Sequence, residues 1–176
     1  MSTSPTIAVI GAFAFAGVMA LSGCTGEVQA TSPANQPAVA ARSDIDAGRY
    51  LVKIGGCNDC HTQGYIETNG AGPAESEWLT GAPVGFAGPW GVSYPSNLRL
   101  FVTTLDENEF VEFAHKGEGR PPMPWPSLMM MNEQDVRAIY RYIQHLGPAG
   151  EAMPAPISPG QAANTPYVNM MPVMPE

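Results

Sequence analysis

Apolar residues recur at helical spacing in three stretches of this chain. The first runs from about Ile45 to Gly55, with Tyr50, Leu51 and Ile54 at that spacing. Ser43 or Asp44 can cap it, and Gly55-Gly56 ends it. The second covers Glu107 to Lys116. Asp106 followed by Glu109 has the form of a capping box, and Phe110, Phe113 and Ala114 make its apolar side. The third and clearest runs from Glu133 to about Leu146. Asn132 precedes it, Val136, Ile139, Tyr140, Ile143 and Leu146 form one stripe, and Gly147-Pro148 stops it. A glycine inside a helix costs about 1 kcal/mol against alanine. Gly48 in the first helix therefore predicts a close crossing with the third, near Tyr140.

Between His61 and Leu105 periodicity fades and no strand pattern emerges. Gly70, Gly72, Pro73, Gly81, Pro83, Gly85, Gly88, Pro89 and Gly91 punctuate the stretch. A long irregular segment in a small domain needs some surface to pack on.

The ends differ from the middle. Ile7 to Leu21 is uncharged and mostly apolar, short for a membrane span and suited to a signal-peptide core. The first six residues carry no Lys or Arg. The core runs into Leu21-Ser22-Gly23-Cys24, which looks like a bacterial lipoprotein box with Cys24 as the acylated residue. The alternative is an uncleaved anchor with Cys24 buried. Both place the remainder outside the cytoplasm, beside a membrane. Thr25 to Ser43, rich in Ala, Pro, Thr, Gln and Ser, predicts a disordered tether. The organisation is then a signal peptide over 1–23, a lipidated tether over 24–43, one domain over 44–148 and a Pro/Met-rich tail over 149–176. The tail either wraps the domain or is mobile. Met153, Met170, Met171 and Met174 within it could suit copper through soft thioethers, or simply pack.

The chemistry is concentrated in Cys57-Asn58-Asp59-Cys60-His61. CNDCH has the form of a c-type haem attachment sequence. Two thiols two residues apart can form thioethers to one porphyrin, and the adjacent imidazole can bind its iron. A zinc site lacks a second Cys/His pair at finger spacing, and a thioredoxin-like pair lacks its βαβ surroundings. A short-loop disulfide in an exported protein is the remaining alternative. With one haem c and one lipid, all three cysteines are used. The porphyrin is also the surface the irregular middle needs.

A carrier of electrons needs a second axial ligand. The candidate is Met123 in Arg120-Pro121-Pro122-Met123-Pro124-Trp125-Pro126, a loop stiffened by proline and poor in backbone donors. Met/His ligation raises the reduction potential. Met129, Met130 and Met131 compete, but they sit where the third helix begins and packing accounts for them. His115 and His145 lie near helix C-termini, where cations are favoured.

Gly48-Arg49-Tyr50-Leu51-Val52 before CNDCH, Gly88-Pro89-Trp90-Gly91-Val92-Ser93-Tyr94-Pro95-Ser96-Asn97-Leu98, and PPMPWPSL together resemble bacterial monohaem class I cytochromes c. The likeness is to the cytochrome c domains that accompany membrane-bound alcohol, aldehyde and sugar-acid dehydrogenases, and it covers about 46 to 148. It implies an all-α fold of about three helices with long haem-wrapping loops. It implies Cys57 and Cys60 on the haem, His61 as proximal and Met123 as distal ligand. Dehydrogenase subunits often carry three haem motifs, whereas this chain has one. The likeness also makes Trp90, Tyr94, Asn97 and Arg99 candidates for the propionates, with loop packing the alternative, and a proline carbonyl, of Pro73 or Pro89, the acceptor for His61 Nδ1–H.

Sixteen acids face eight bases, a net charge of −8. That disfavours nucleic acid and favours a partner with a basic docking patch. The expected function is a single-electron carrier tethered on the periplasmic side of a bacterial membrane. It passes electrons from a quinol-oxidising complex or dehydrogenase to an oxidase. The alternatives are a haem enzyme or sensor with an exchangeable iron position, or a cytochrome subunit of a periplasmic dehydrogenase.

Overall fold

The computed structural model describes residues 39–175. The signal peptide over 1–23, the lipid site at Cys24 and all but the end of the tether lie outside them. Among the described residues no helix is long and apolar enough to cross a membrane.

Three helices make the core. α1 spans Asp44–Ile54, and Ser43 caps it by accepting from the Asp46 amide. α4 spans Glu107–Lys116 and opens with the capping box read from its sequence: Asp106 accepts from the Asn108 and Glu109 amides, while Glu109 accepts from the Asp106 amide. α6 spans Glu133–Leu146; its Asn132 supplies a carbonyl but no side-chain cap. Between α1 and α4 lie a short helical turn, α2, over Cys57–His61, two strands, β1 (Gly85–Gly88) and β2 (Gly91–Ser93), and α3 (Leu98–Phe101). α5 (Trp125–Met129) precedes α6, and β3 (Tyr167–Asn169) lies in the tail.

α1 crosses α6 at Gly48. A Cβ there would stand 2.0 Å from the Ala138 carbonyl oxygen and 2.6 Å from Tyr142 Cβ. The crossing point is Ala138 and Tyr142 rather than Tyr140, whose hydroxyl instead donates to the Leu105 carbonyl at 3.0 Å. That contact also rotates the buried face of α1. Ala47, Gly48, Leu51 and Val52 are buried, while Tyr50 and Ile54, expected inside, are exposed. Only a glycine lets the backbones come this close, so the face that contains it turns inward. Val52, Val102, Val136, Tyr142 and Ile143 are among the core side chains essentially closed to solvent. Arg137 pairs with Glu107 and Glu133, and Arg141 with Glu107 and Asp44, tying the ends of α1 and α4 to α6.

The all-α expectation named no strand, and the structure adds a small sheet of order β2-β1-β3. β1 and β2 form an antiparallel hairpin with Ala87 opposite Val92. β3 joins β1 in parallel, Phe86 opposite Val168. Strands of three or four residues are too short to show alternation, and β3 finds its partner some eighty residues upstream. The sheet carries the tail onto the body: Val92 and Ile157 exchange backbone hydrogen bonds of 3.0 and 2.9 Å.

Candidate functional site

α2 is the CNDCH segment itself. Gly56 enters it with φ +68°, a conformation that favours glycine. The turn is fastened from below. Buried Asn58 accepts from Thr62 Oγ1 at 2.7 Å, and Thr62 Oγ1 accepts from the Leu79 amide at 2.8 Å. The His61 carbonyl accepts from the Gly81 amide at 2.7 Å. The motif is thus attached to segment 79–81, and that segment accepts the Leu98 amide through the Leu79 carbonyl at 2.9 Å.

This last contact brings Ser96 to the imidazole. His61 Nδ1 lies 2.7 Å from the Ser96 carbonyl oxygen. A carbonyl only accepts, so Nδ1 carries the proton and Nε2 keeps its lone pair. The acceptor is neither proline considered from the sequence. The Pro73 carbonyl takes the Trp78 indole N–H at 3.0 Å, and Pro89 lies in the exposed turn between β1 and β2. Burial lowers the His61 pKa, opposed by the Ser96 hydrogen bond, and so favours the neutral ligating form. Burial likewise pushes the Cys57 thiol up to about 11 and raises Cys60. Both cysteines are unbridged and half-buried. A raised thiol pKa disfavours the thiolate, which suits a neutral thioether better than a thiolate–metal bond.

Cys57 of this turn belongs to an apolar wall of half-buried side chains packed against the core, with Phe101, Leu128 and Met131. Cys57 Sγ and Met131 Cε lie 3.8 and 3.6 Å from the same point beside Gly55. Rings continue the wall. Phe101 lies 4.9 Å from Phe113, and Phe113 meets Trp125 edge-on at 5.5 Å.

Met123 is half-buried in the loop before α5, and its carbonyl accepts the Trp125 amide at 2.8 Å. Of its rivals, Met130 is exposed, Met129 packs beside Gly117, and Met131 belongs to the apolar wall. His115 spends Nε2 on the Met131 carbonyl at 3.1 Å, and His145 is exposed in the last turn of α6.

The four propionate candidates have other partners. Trp90 donates to the Phe86 carbonyl at 3.2 Å, and the Tyr94 hydroxyl pairs with Thr165. Asn97 donates to the Ala149 and Glu151 carbonyls at 2.7 and 3.1 Å. Arg99 is buried and donates to the Leu146, Gly147 and Ser76 carbonyls, closing the C-terminus of α6. These hydrogen bonds hold loops, the tail and the end of α6 in place. The residues that sequence reasoning missed are Ser96, Thr62 and Trp125. Trp125 Nε1 is a buried donor with no partner among the described residues. Such a donor costs about 1–3 kcal/mol unless an acceptor is supplied. Two thiols, one imidazole in the ligating tautomer, an apolar wall and an unmatched donor two residues from Met123 in the chain fit a haem c. A cleft of about 390 Å³ lies between Tyr94, Ser96, Asn97, Leu100 and Phe101 on one side and Met153 and Pro154 of the tail on the other, and Ser96 is common to it and to the His61 site. None of Cys57, Cys60, His61 and Met123 lines it.

The chain is similar to the fructose dehydrogenase cytochrome subunit of Gluconobacter japonicus, 27% identical over 144 residues. That match covers 76% of this chain and 27% of the relative. It is also similar to the gluconate 2-dehydrogenase cytochrome c subunit of Pantoea cypripedii, 27% identical over 119 residues, covering 61% of this chain and 24% of the relative. The relation is cytochrome c-like. The chain spans about a quarter of the length of these curated relatives. No family model and no solved structure matches it.

Proposed function

We propose that this chain is a monohaem class I cytochrome c that carries single electrons, lipid-anchored through Cys24 on the periplasmic side of a bacterial membrane. Cys57 and Cys60 hold the haem, and His61 and Met123 are its axial ligands. A bound haem c supplies one-electron iron chemistry. The protein's part is positioning. Ser96 fixes the His61 tautomer and ring, which makes Nε2 the better ligand. Asn58, Thr62 and Leu79 keep α2 from moving when the charge on the site changes. Prolines 121, 122 and 124 restrict the Met123 loop, so that the thioether is presented at low entropic cost. The helices and the small sheet together form a cytochrome c fold elaborated by its tail. The electron donor is a dehydrogenase, in keeping with the names of the relatives, or a quinol-oxidising complex. The acceptor is a terminal oxidase, reached by diffusion in the plane of the membrane, where tethering raises the effective concentration.

The observation that carries this reading is the 2.7 Å contact from His61 Nδ1 to the Ser96 carbonyl, which leaves the right nitrogen free beside two unbridged thiols. The test is a spectrum of the purified holoprotein. A weak near-infrared methionine–iron band in the ferric state, with no carbon monoxide binding when reduced, is the expected result. Ready carbon monoxide binding at neutral pH, or a spectrum unchanged in Met123→Ala, rejects Met123 as the ligand, and the first of these favours a haem enzyme or sensor. The anchor is tested separately. Cys24→Ser is expected to release the protein from membranes at high salt, and continued tight association rejects the lipid.

A further inference from the structure

The loop carrying Met123 is not held by its own helix alone. Three residues before Met123, Arg120 Nη1 donates to the Ile157 carbonyl at 2.7 Å and approaches the Trp90 carbonyl at 3.4 Å. Two residues before it, the Pro121 carbonyl accepts from Ser93 Oγ. Trp90 and Ser93 belong to the β1–β2 hairpin, and Ile157 belongs to the tail. The tail is itself pinned along its length. Ile157 exchanges two backbone hydrogen bonds with Val92, β3 pairs with β1, and Ala149 and Glu151 accept from Asn97. Gly91 lets the tail pass, since a Cβ there would stand 2.1 Å from the Ile157 carbonyl oxygen.

We propose that the C-terminal tail controls retention of the sixth ligand. Arg120, bridging tail and hairpin, is a positioning residue that holds the Met123 loop closed. The proline-rich loop has few backbone donors of its own, so its anchoring comes from outside through one guanidinium and one hydroxyl. A shift of the tail at Ile157 removes the acceptor of the Arg120 guanidinium and leaves the Ser93 hydroxyl as the remaining attachment. This rests on Met123 being the distal ligand. It goes beyond that reading by making a segment outside the helical core part of the electron-transfer device.

The experiment measures imidazole affinity of the ferric holoprotein and carbon monoxide uptake by the ferrous form, with full-length chain throughout. Arg120→Gln removes the bridge. Ile157→Pro removes the amide that donates to Val92. Arg120→Gln is expected to raise imidazole affinity about tenfold, the scale of one charged hydrogen bond, Ile157→Pro about threefold, the scale of a neutral one, and both to weaken the near-infrared band. Ser93→Ala is expected to give about threefold, and it carries the test if Arg120→Gln does not mature. Arg120→Lys, which can still reach one carbonyl, is expected to recover part of the closure. Asp106→Ala removes the cap at the start of α4, lowers the denaturation midpoint and is expected to leave imidazole affinity unchanged, which separates positioning from general loosening. A closed parent whose three loop and tail variants all stay within twofold overturns the inference alone. A parent that already takes carbon monoxide overturns the Met123 assignment, and the inference with it.

Discussion

Arg99 shows how a single buried cation can close the end of a helix. Its guanidinium satisfies three backbone carbonyls, two of them at the end of α6, where the helix leaves acceptors unmatched and its dipole is negative. Arg99→Ala is expected to cost about 2–4 kcal/mol in urea unfolding of the holoprotein while leaving the haem spectrum unchanged. A change in the spectrum at equal stability would instead return Arg99 to the haem. Thr62 makes the opposite prediction. Its hydroxyl joins Asn58 to the Leu79 amide beneath α2. Thr62→Val leaves a buried amide and a buried carboxamide unpaired, and is expected to lower haem incorporation on expression as well as stability, by about 1–3 kcal/mol. Thr62 follows the CNDCH motif directly, but nothing in the sequence marks its hydroxyl as a bolt, because the partner lies seventeen residues away.

Among the elements, α1 and α6 decide the core. Gly48 sits against the Ala138 carbonyl at a distance no side chain tolerates. Gly48→Ala is expected to force the helices apart and to cost about 3 kcal/mol or more, read as a fall in the thermal midpoint, despite the better helix propensity of alanine. A neutral or stabilised variant would mean that the crossing opens at little cost. The existence, type and ends of these helices were legible, since periodicity and caps are local signals. The buried face of α1 was not. Tyr50, Leu51 and Ile54 were a plausible stripe, but which side turns inward depends on where the partner helix makes contact. The sheet was illegible for a related reason. Its strands are short and pair a loop with a tail far along the chain.

For the molecule as a whole, Glu75 links the loop after α2 to both core helices. It accepts from Arg49 Nε at 2.7 Å and from the Tyr142 hydroxyl at 2.8 Å. The Arg49 hydrogen bond is the main cause of its lowered pKa, with Tyr142 adding to it. The contribution is therefore present above the ordinary Glu value of 4.5 and is lost as pH falls through the lower folded value. Because the pair is more than a third exposed, its worth is about 1 kcal/mol at most. Glu75→Gln is expected to lower stability at pH 7 by about 1 kcal/mol at most and to flatten the acid limb below pH 4.5, so that variant and parent converge in acid, measured by denaturant midpoints across pH. The net charge of −8 acts at longer range. Association with a redox partner is expected to slow as salt rises, and a rate independent of ionic strength would argue against a basic docking patch.

The sequence by itself determined the chemistry that depends on neighbours along the chain. CNDCH sets two thiols and an imidazole on one turn, and caps and stripes set the three long helices. Met123 stands out for the same reason, through the prolines beside it. Tertiary structure decided everything that depends on which distant segment arrives. It chose Ser96 rather than a proline to fix the imidazole, gave Trp90, Tyr94, Asn97 and Arg99 to the loops, and brought the tail to Arg120. Covalent spacing and local propensity are written residue by residue. A hydrogen bond across dozens of residues exists only once packing has placed its two ends together.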